Sequence, residues 1–187
     1  MIIRRVAASS LPSDISRIPD IRLCFRWTDS TGDNVIVSTG KSLRPSENPG
    51  YLDFSYSKEF VPYVYRFLLK NDSADLVWRT PGSGLSCQVT GKGDNVKSSF
   101  IVTDLDKNSV AEIWIIFKAV CVDAQGPSPM KIIMYQFNRR YLQNGTRLYK
   151  NGEKSTGGTY QFDDAFKQAP SVFKDYADQL WKKNVSD

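Results

Sequence analysis

Residues 111–122, Ala-Glu-Ile-Trp-Ile-Ile-Phe-Lys-Ala-Val-Cys-Val, constrain this chain more than any other stretch, because they are apolar on both faces. Side chains alternate along a strand, so Ile113, Ile115 and Phe117 point one way and Trp114, Ile116 and Val120 the other. A buried helix could give the same run. The β-branched and aromatic content and the turn residues at both ends favour a strand. A strand with two apolar faces sits in the middle of a sheet and is covered twice.

The rest of the chain supplies partners of the right period. Short alternating or β-branched segments recur at 21–27, 35–38, 51–56, 62–69, 75–78, 85–89, 97–103 and 131–137, separated by clusters such as Asp29–Asn34, Asn48-Pro49-Gly50 and Thr80–Gly84. Two Asn-Gly pairs, Asn144-Gly145 and Asn151-Gly152, signal hairpin turns and divide 139–143, 146–150 and a short return strand into a meander. Short strands with frequent turns predict a mainly β fold, β-rich α+β, built as an antiparallel sandwich or rolled sheet. The period changes near the C-terminus. Phe162, Phe166, Ala169, Phe173, Tyr176 and Leu180 step by four and three residues, the spacing of one helical face, which predicts an amphipathic helix over about 163–183 divided at Pro170. Ser171 is the expected N-cap of the longer part. The natural berth of this stripe is one face of residues 111–122.

Residues 1–20 hold Ser9, Ser10, Pro12, Ser13 and Pro19 with little periodicity. They read as a flexible N-terminal arm, loose or lying along the body or a neighbour, ahead of a single domain at 21–187. At 187 residues one domain can bury a core without staples. The N-terminus lacks the apolar segment of an export signal and no stretch approaches a membrane span, so the expected location is intracellular, cytoplasmic or within a particle. Cys24, Cys87 and Cys121 are few, distant and set among apolar residues, and are expected to be buried reduced thiols, with a secreted single disulfide plus a free thiol as the alternative.

The chain has no histidine, which removes the Ser-His and Cys-His nucleophile systems and most zinc and iron sites. Gly40-Lys41-Ser42 ends like a phosphate-binding loop, but Val35 stands where that motif needs glycine. Asp104, Asp106, Asn108 and Glu112 imitate the start of a calcium loop, yet Ser109 and Ile115 replace its glycine and its bidentate glutamate, so a polar turn is the expectation. Paired-carboxylate chemistry needs no histidine, and Asp53, Glu59, Asp104 and Glu112 are the acids available for it, although their spacing brings no two together. The reading is therefore not an enzyme, with no metal and no cofactor.

Charge gives a positive lead. Residues 131–154 carry six basic side chains against Glu153 alone, which equals the net charge of +5 for the whole chain. Within them Lys131, Arg139, Arg140, Arg147 and Lys150 interleave with Tyr135, Tyr141 and Tyr149, so Lys131, Arg139, Arg140, Tyr141, Arg147, Tyr149 and Lys150 form the candidate site for nucleic acid or an anionic surface. A solvated charged edge is the plain alternative, since Arg139 and Arg140 are adjacent and point to opposite faces. The C-terminal stripe offers Phe166, Phe173, Tyr176, Leu180 and Trp181 as candidate interface residues. Together these predict a non-enzymatic structural or assembly protein, of virion coat, matrix or multiprotein-particle kind, whose partners are itself or other subunits. A nucleic-acid or anionic-membrane-surface binder is the second reading, and a histidine-free carbohydrate-active enzyme the third.

Overall fold

The structure, a computed structural model, describes residues 1–39, 52–57, 63–80, 84–85, 87, 95–121 and 125–186, with backbone alone at 52–57 and 95–97. The expected strand at 85–89, the loop at 41–50, Gly40-Lys41-Ser42 and Glu59 lie wholly or mainly outside the described residues. Two antiparallel sheets account for most of what is described. The first runs in the order β1 (Arg4–Arg5), β2 (Ile21–Asp29), β3 (Gly32–Thr39), β5 (Val64–Lys70) and β6 (Ser73–Arg79). The second runs β13 (Tyr160–Phe162), β10 (Arg139–Thr146), β9 (Pro129–Gln136), β8 (Glu112–Val120), β7 (Asn95–Thr103) and β4 (Leu52–Ser57). A hairpin of β11 (Leu148–Asn151) and β12 (Lys154–Gly157) stands apart from both.

The doubly apolar stretch is the central strand β8, flanked by β7 and β9. Ile113, Ile115 and Phe117 meet Leu23, Trp27, Ile36, Val64 and Trp78 of the first sheet, so the two sheets pack face to face. On the other side Trp114 and Ile116 join Met130, Ile132, Met134 and Tyr141 beneath Phe166, Phe173, Ala177, Leu180 and Trp181. These last come from α2 (Asp164–Lys167) and α3 (Ser171–Asn184). A 14-residue helix is marginal alone in water, and its packing against the sheet supplies what propensity does not. Among the described residues the covering sheet is built from β1, β2, β3, β5 and β6, because β4 and β7 belong to the sheet of β8 itself.

Several local expectations are corrected. Asn144-Gly145 makes no turn: β10 runs through it, pairing Gly145 with Met130 on one side and Tyr160 on the other. The glycine serves close approach instead, since a Cβ there would lie 2.0 Å from the Thr159 carbonyl oxygen. Asn151-Gly152 does turn, with Gly152 at φ +60°. Pro170, not Ser171, stands at the N-cap of α3 and no side chain caps it, whereas Asp163 caps α2 by accepting from the Phe166 amide at 2.8 Å. The three thiols are not all reduced: Cys87 and Cys121 form a disulfide, and Cys24 is free and buried. The spacing of 34 residues concealed the pair, because chain separation says nothing of Cα separation, here 5.6 Å.

The segment expected as a flexible arm has a berth on the body. Arg4 and Arg5 pair with Arg26 and Phe25 at one edge of the first sheet. The chain then crosses that sheet's outer face, where Leu11 and Ile15 of the arm are buried against Cys24, Val35, Val37 and Phe67. At the far edge α1 (Ser13–Ser16) meets β6, and the Asp14 carboxylate accepts from the Ala74 amide at 3.2 Å. Phe166, Phe173, Leu180 and Trp181, named above as interface residues, are buried within the chain, and Tyr176 packs edge-on to Trp114 at 5.0 Å. The apolar stripe serves this molecule's own sheet, which is the nearest apolar surface of matching width.

Candidate functional site

One end of the sandwich gathers the β2–β3, β7–β8 and β9–β10 turns, and there the polar side chains concentrate. Arg66 lies on the inward face of β5, beside Val64 in the alternation, with its side chain wholly buried. Its Nε and Nη2 donate to Asn34 Oδ1 at 3.0 and 2.8 Å, Nη2 also to Thr31 Oγ1 at 3.1 Å, and Nη1 to the Phe137 carbonyl at 3.2 Å. Asp29 stands 3.7 Å from Nη2. Burial pulls the Arg66 pKa down to about 10 while the Asp29 charge works against that fall.

Asp29 is itself a node. It accepts from Trp27 Nε1 at 3.0 Å, from the Thr31 amide at 2.8 Å, from Asn34 Nδ2 at 3.0 Å and from the Ala111 amide at 3.1 Å. Burial works to raise its pKa, and the bonds from Thr31, Trp27 and Ala111 outweigh that and hold it below the usual carboxylate range. The bond to Ala111 ties the β2–β3 turn to the start of the central strand. Phe137, in left-handed backbone at φ 50°, offers its carbonyl and its ring face, 5.4 Å away, to the same guanidinium. This centre fastens one sheet to the other.

Beside it the β7–β8 turn brings Asp104, Asp106 and Glu112 together, with carboxylate oxygens within 4.8 Å of one another. The sequence spacing had suggested no such meeting of Asp104 with Glu112, because the pairing of Thr103 with Glu112 across the turn was not visible in it. Glu112 is buried and accepts from Thr103 Oγ1 at 2.6 Å and from the Leu105 amide at 2.9 Å. Gln136 Nε2 donates to Asp106 at 2.9 Å and to Glu112 at 3.4 Å. Burial, then the neighbouring Asp106, raises the Glu112 pKa, and the bonds from Thr103 and Leu105 only partly offset this. Such a set could hold a cation. The Ser109 amide on Asp104 and the Asn108 amide and side chain on Asp106 also satisfy it as a polar turn, with Ser109 at φ 64° in the glycine-like place. Asp53 lies on β4, in the same sheet but two strands from Glu112.

The basic stretch does not form one surface. Lys131 and Arg140 lie on the sandwich-side face of β9 and β10 with Tyr135: burial and then Arg140 depress the Lys131 pKa, and burial raises that of Tyr135. Arg139 lies on the opposite face with its guanidinium 5.1 Å over the Tyr141 ring, and Tyr141 is buried under the helices. Arg147 reaches the Ala119 carbonyl at 3.5 Å. Tyr149 and Lys150 are on β11, where alternation sends them to opposite faces of the hairpin. Arg66 and Asn34 carry no mark in the sequence, and nothing in it says which two of the three cysteines pair. A lone arginine alternating with Val64 was the one signal for the first.

Concavities among the described residues lie away from the polar end of the sandwich. About 460 Å³ opens between the arm and β2, lined by Arg5, Val6, Ala8, Ile21, Arg22 and Cys24 among others, and about 300 Å³ lies where β10 meets β13. Neither includes the acidic turn. No helix among the described residues is long and apolar enough to cross a membrane. No protein-family model matches the chain, and neither a curated protein nor a solved structure is significantly similar to it.

Proposed function

We propose that this chain is a non-enzymatic assembly protein, a subunit of a particle or multiprotein layer, whose N-terminal segment exchanges between copies. The observation that carries the reading is the seating of that segment. It spans the outer face of the first sheet from edge to edge, buries Leu11 and Ile15 on an apolar patch, and leaves through Pro19 and Asp20, the latter in left-handed backbone at φ 56°. Every one of these contacts can be remade on a second copy. Exchange then costs only the opening of the connection and the entropy of association, which makes it a low-cost route to oligomers. Partners are therefore further copies of the chain or related subunits. The Cys87–Cys121 disulfide supports an oxidising setting, such as a particle outside the cytosol, over the reducing cytosol that the sequence alone had favoured.

Cys24 provides the test. It is the free thiol, it lies beneath Leu11 and Ile15, and burial lifts its pKa to about 11. If the arm lifts independently, maleimide reacts with Cys24 faster than global unfolding allows, with little dependence on low denaturant. Modification that tracks global unfolding at every denaturant concentration would show that the arm is a fixed part of the core and would overturn the exchange.

A further inference from the structure

We propose that the β11–β12 hairpin and the C-terminal end of α3 together form a binding surface for a sulfated polysaccharide. The two elements are distant in sequence and joined at the base of the hairpin. The Leu148 amide donates to the Val185 carbonyl at 2.8 Å, Trp181 Nε1 donates to the Gly158 carbonyl at 3.0 Å, and the Leu148 and Val185 side chains both border Gly158. Lys182 and Lys183, exposed in the last turn of α3, are thereby brought beside a hairpin that carries exposed Lys150 and Lys154.

The register decides which polyanion fits. Lys150 opposes Ser155 and Tyr149 opposes Thr156, so Lys150 shares a face with Leu148, the face towards the α3 terminus, while Tyr149 shares the other with Lys154. The cation–ring interleaving of the sequence therefore separates in space. Lys150, Lys182 and Lys183 offer point charges without a ring among them, and unpaired bases need rings or guanidinium planes on which to stack. From 150 to 157 the hairpin presents Lys, Asn, Gly, Glu, Lys, Ser, Thr and Gly, none of which would enter a lipid layer. Glu153 at the tip is the only acid between Gln143 and Phe162, and Asp178, about one turn before Lys182 on the helix, is engaged by the Tyr160 hydroxyl. Dense anionic charge without bases describes a sulfated glycan, a polymer of the oxidising compartments that suit the Cys87–Cys121 disulfide.

The experiment compares elution by salt from heparin, from single-stranded DNA and from phosphatidylserine vesicles, using the full chain. Heparin should hold the protein to the highest salt. Lys150→Glu with Lys182→Glu should abolish that advantage and reduce the log–log salt slope by about 2. Lys70→Glu with Arg79→Glu makes the same charge change at exposed positions of β5 and β6 and should leave heparin binding within twofold. Equal losses in the two double variants would reduce the effect to net charge and overturn the surface. Tighter binding to DNA or to the vesicles at equal salt would overturn the choice of ligand.

Discussion

Replacing Asp29 by alanine tests the centre that fastens the two sheets. The substitution removes the carboxylate 3.7 Å from a guanidinium that is wholly buried, and takes their acceptor from Trp27 Nε1 and the amides of Thr31 and Ala111. Breaking a buried pair from one side costs about 3–5 kcal/mol, because the remaining charge stays desolvated. The hydrogen bonds overlap with that figure and are not added to it. Against a total stability of about 5–15 kcal/mol the loss is severe, and it corresponds to a fall in melting temperature of about 6–20 °C for a chain of this size. The assay is urea unfolding at pH 7, read as a lower midpoint with an unchanged m-value. Asp29→Leu with Arg66→Met, which removes both charges, should recover part of the loss. The pH profile adds a check. A carboxyl held below its unfolded pKa stabilises the fold above about pH 4 and ceases to do so as pH falls through its folded value, so the substitution should cost most at neutral pH and least in acid. A loss under about 1 kcal/mol at pH 7, or a double variant no more stable than the single one, would refute the account of this centre.

Two other outcomes follow from the same geometry. Cys87→Ser with Cys121→Ser opens a loop of 34 residues, and the chain-entropy relation puts the loss at about 4 kcal/mol, measurable by thermal unfolding and absent when the wild type is scanned in reductant. Glu112 behaves oppositely to Asp29: its folded pKa is raised, so folding binds a proton, and its contribution is most favourable below about pH 4 and declines as pH rises through the folded value. Glu112→Gln should therefore gain stability relative to wild type as pH goes from 4 to 8, and a difference constant over that range would count against the raised pKa.

What could be read from the sequence was what hydrophobic period alone decides. The doubly apolar run of Ile113 to Phe117 and the stripe from Phe166 to Leu180 are local patterns, and both the central strand and its helical cover follow from them. What stayed hidden depends on contacts between distant residues. Gly145 carries a turn signal in its dipeptide, yet the nearby Thr159 carbonyl gives it another purpose. Leu11 and Ile15 have no period of their own, and only the outer face formed by Val35, Val37 and Phe67 makes a berth for them. Alternation already sends Arg139 and Arg140 to opposite faces, but only the fold puts one over Tyr141 and the other beside Lys131. The hairpin that carries Lys150 and the helix that carries Lys182 are joined through the bond of Leu148 to Val185, which no local pattern announces.

The central claim, assembly through exchange of the N-terminal segment, is tested most directly by light scattering over a wide range of protein concentration, with the full chain and with a chain lacking residues 1–20. The account predicts reversible oligomers of defined mass that grow in population with concentration for the full chain. Without the segment those defined oligomers should vanish, leaving a destabilised chain with Val35, Val37 and Phe67 uncovered. A full chain that stays monomeric at its highest soluble concentration, or oligomers of the same mass in both chains, would contradict it.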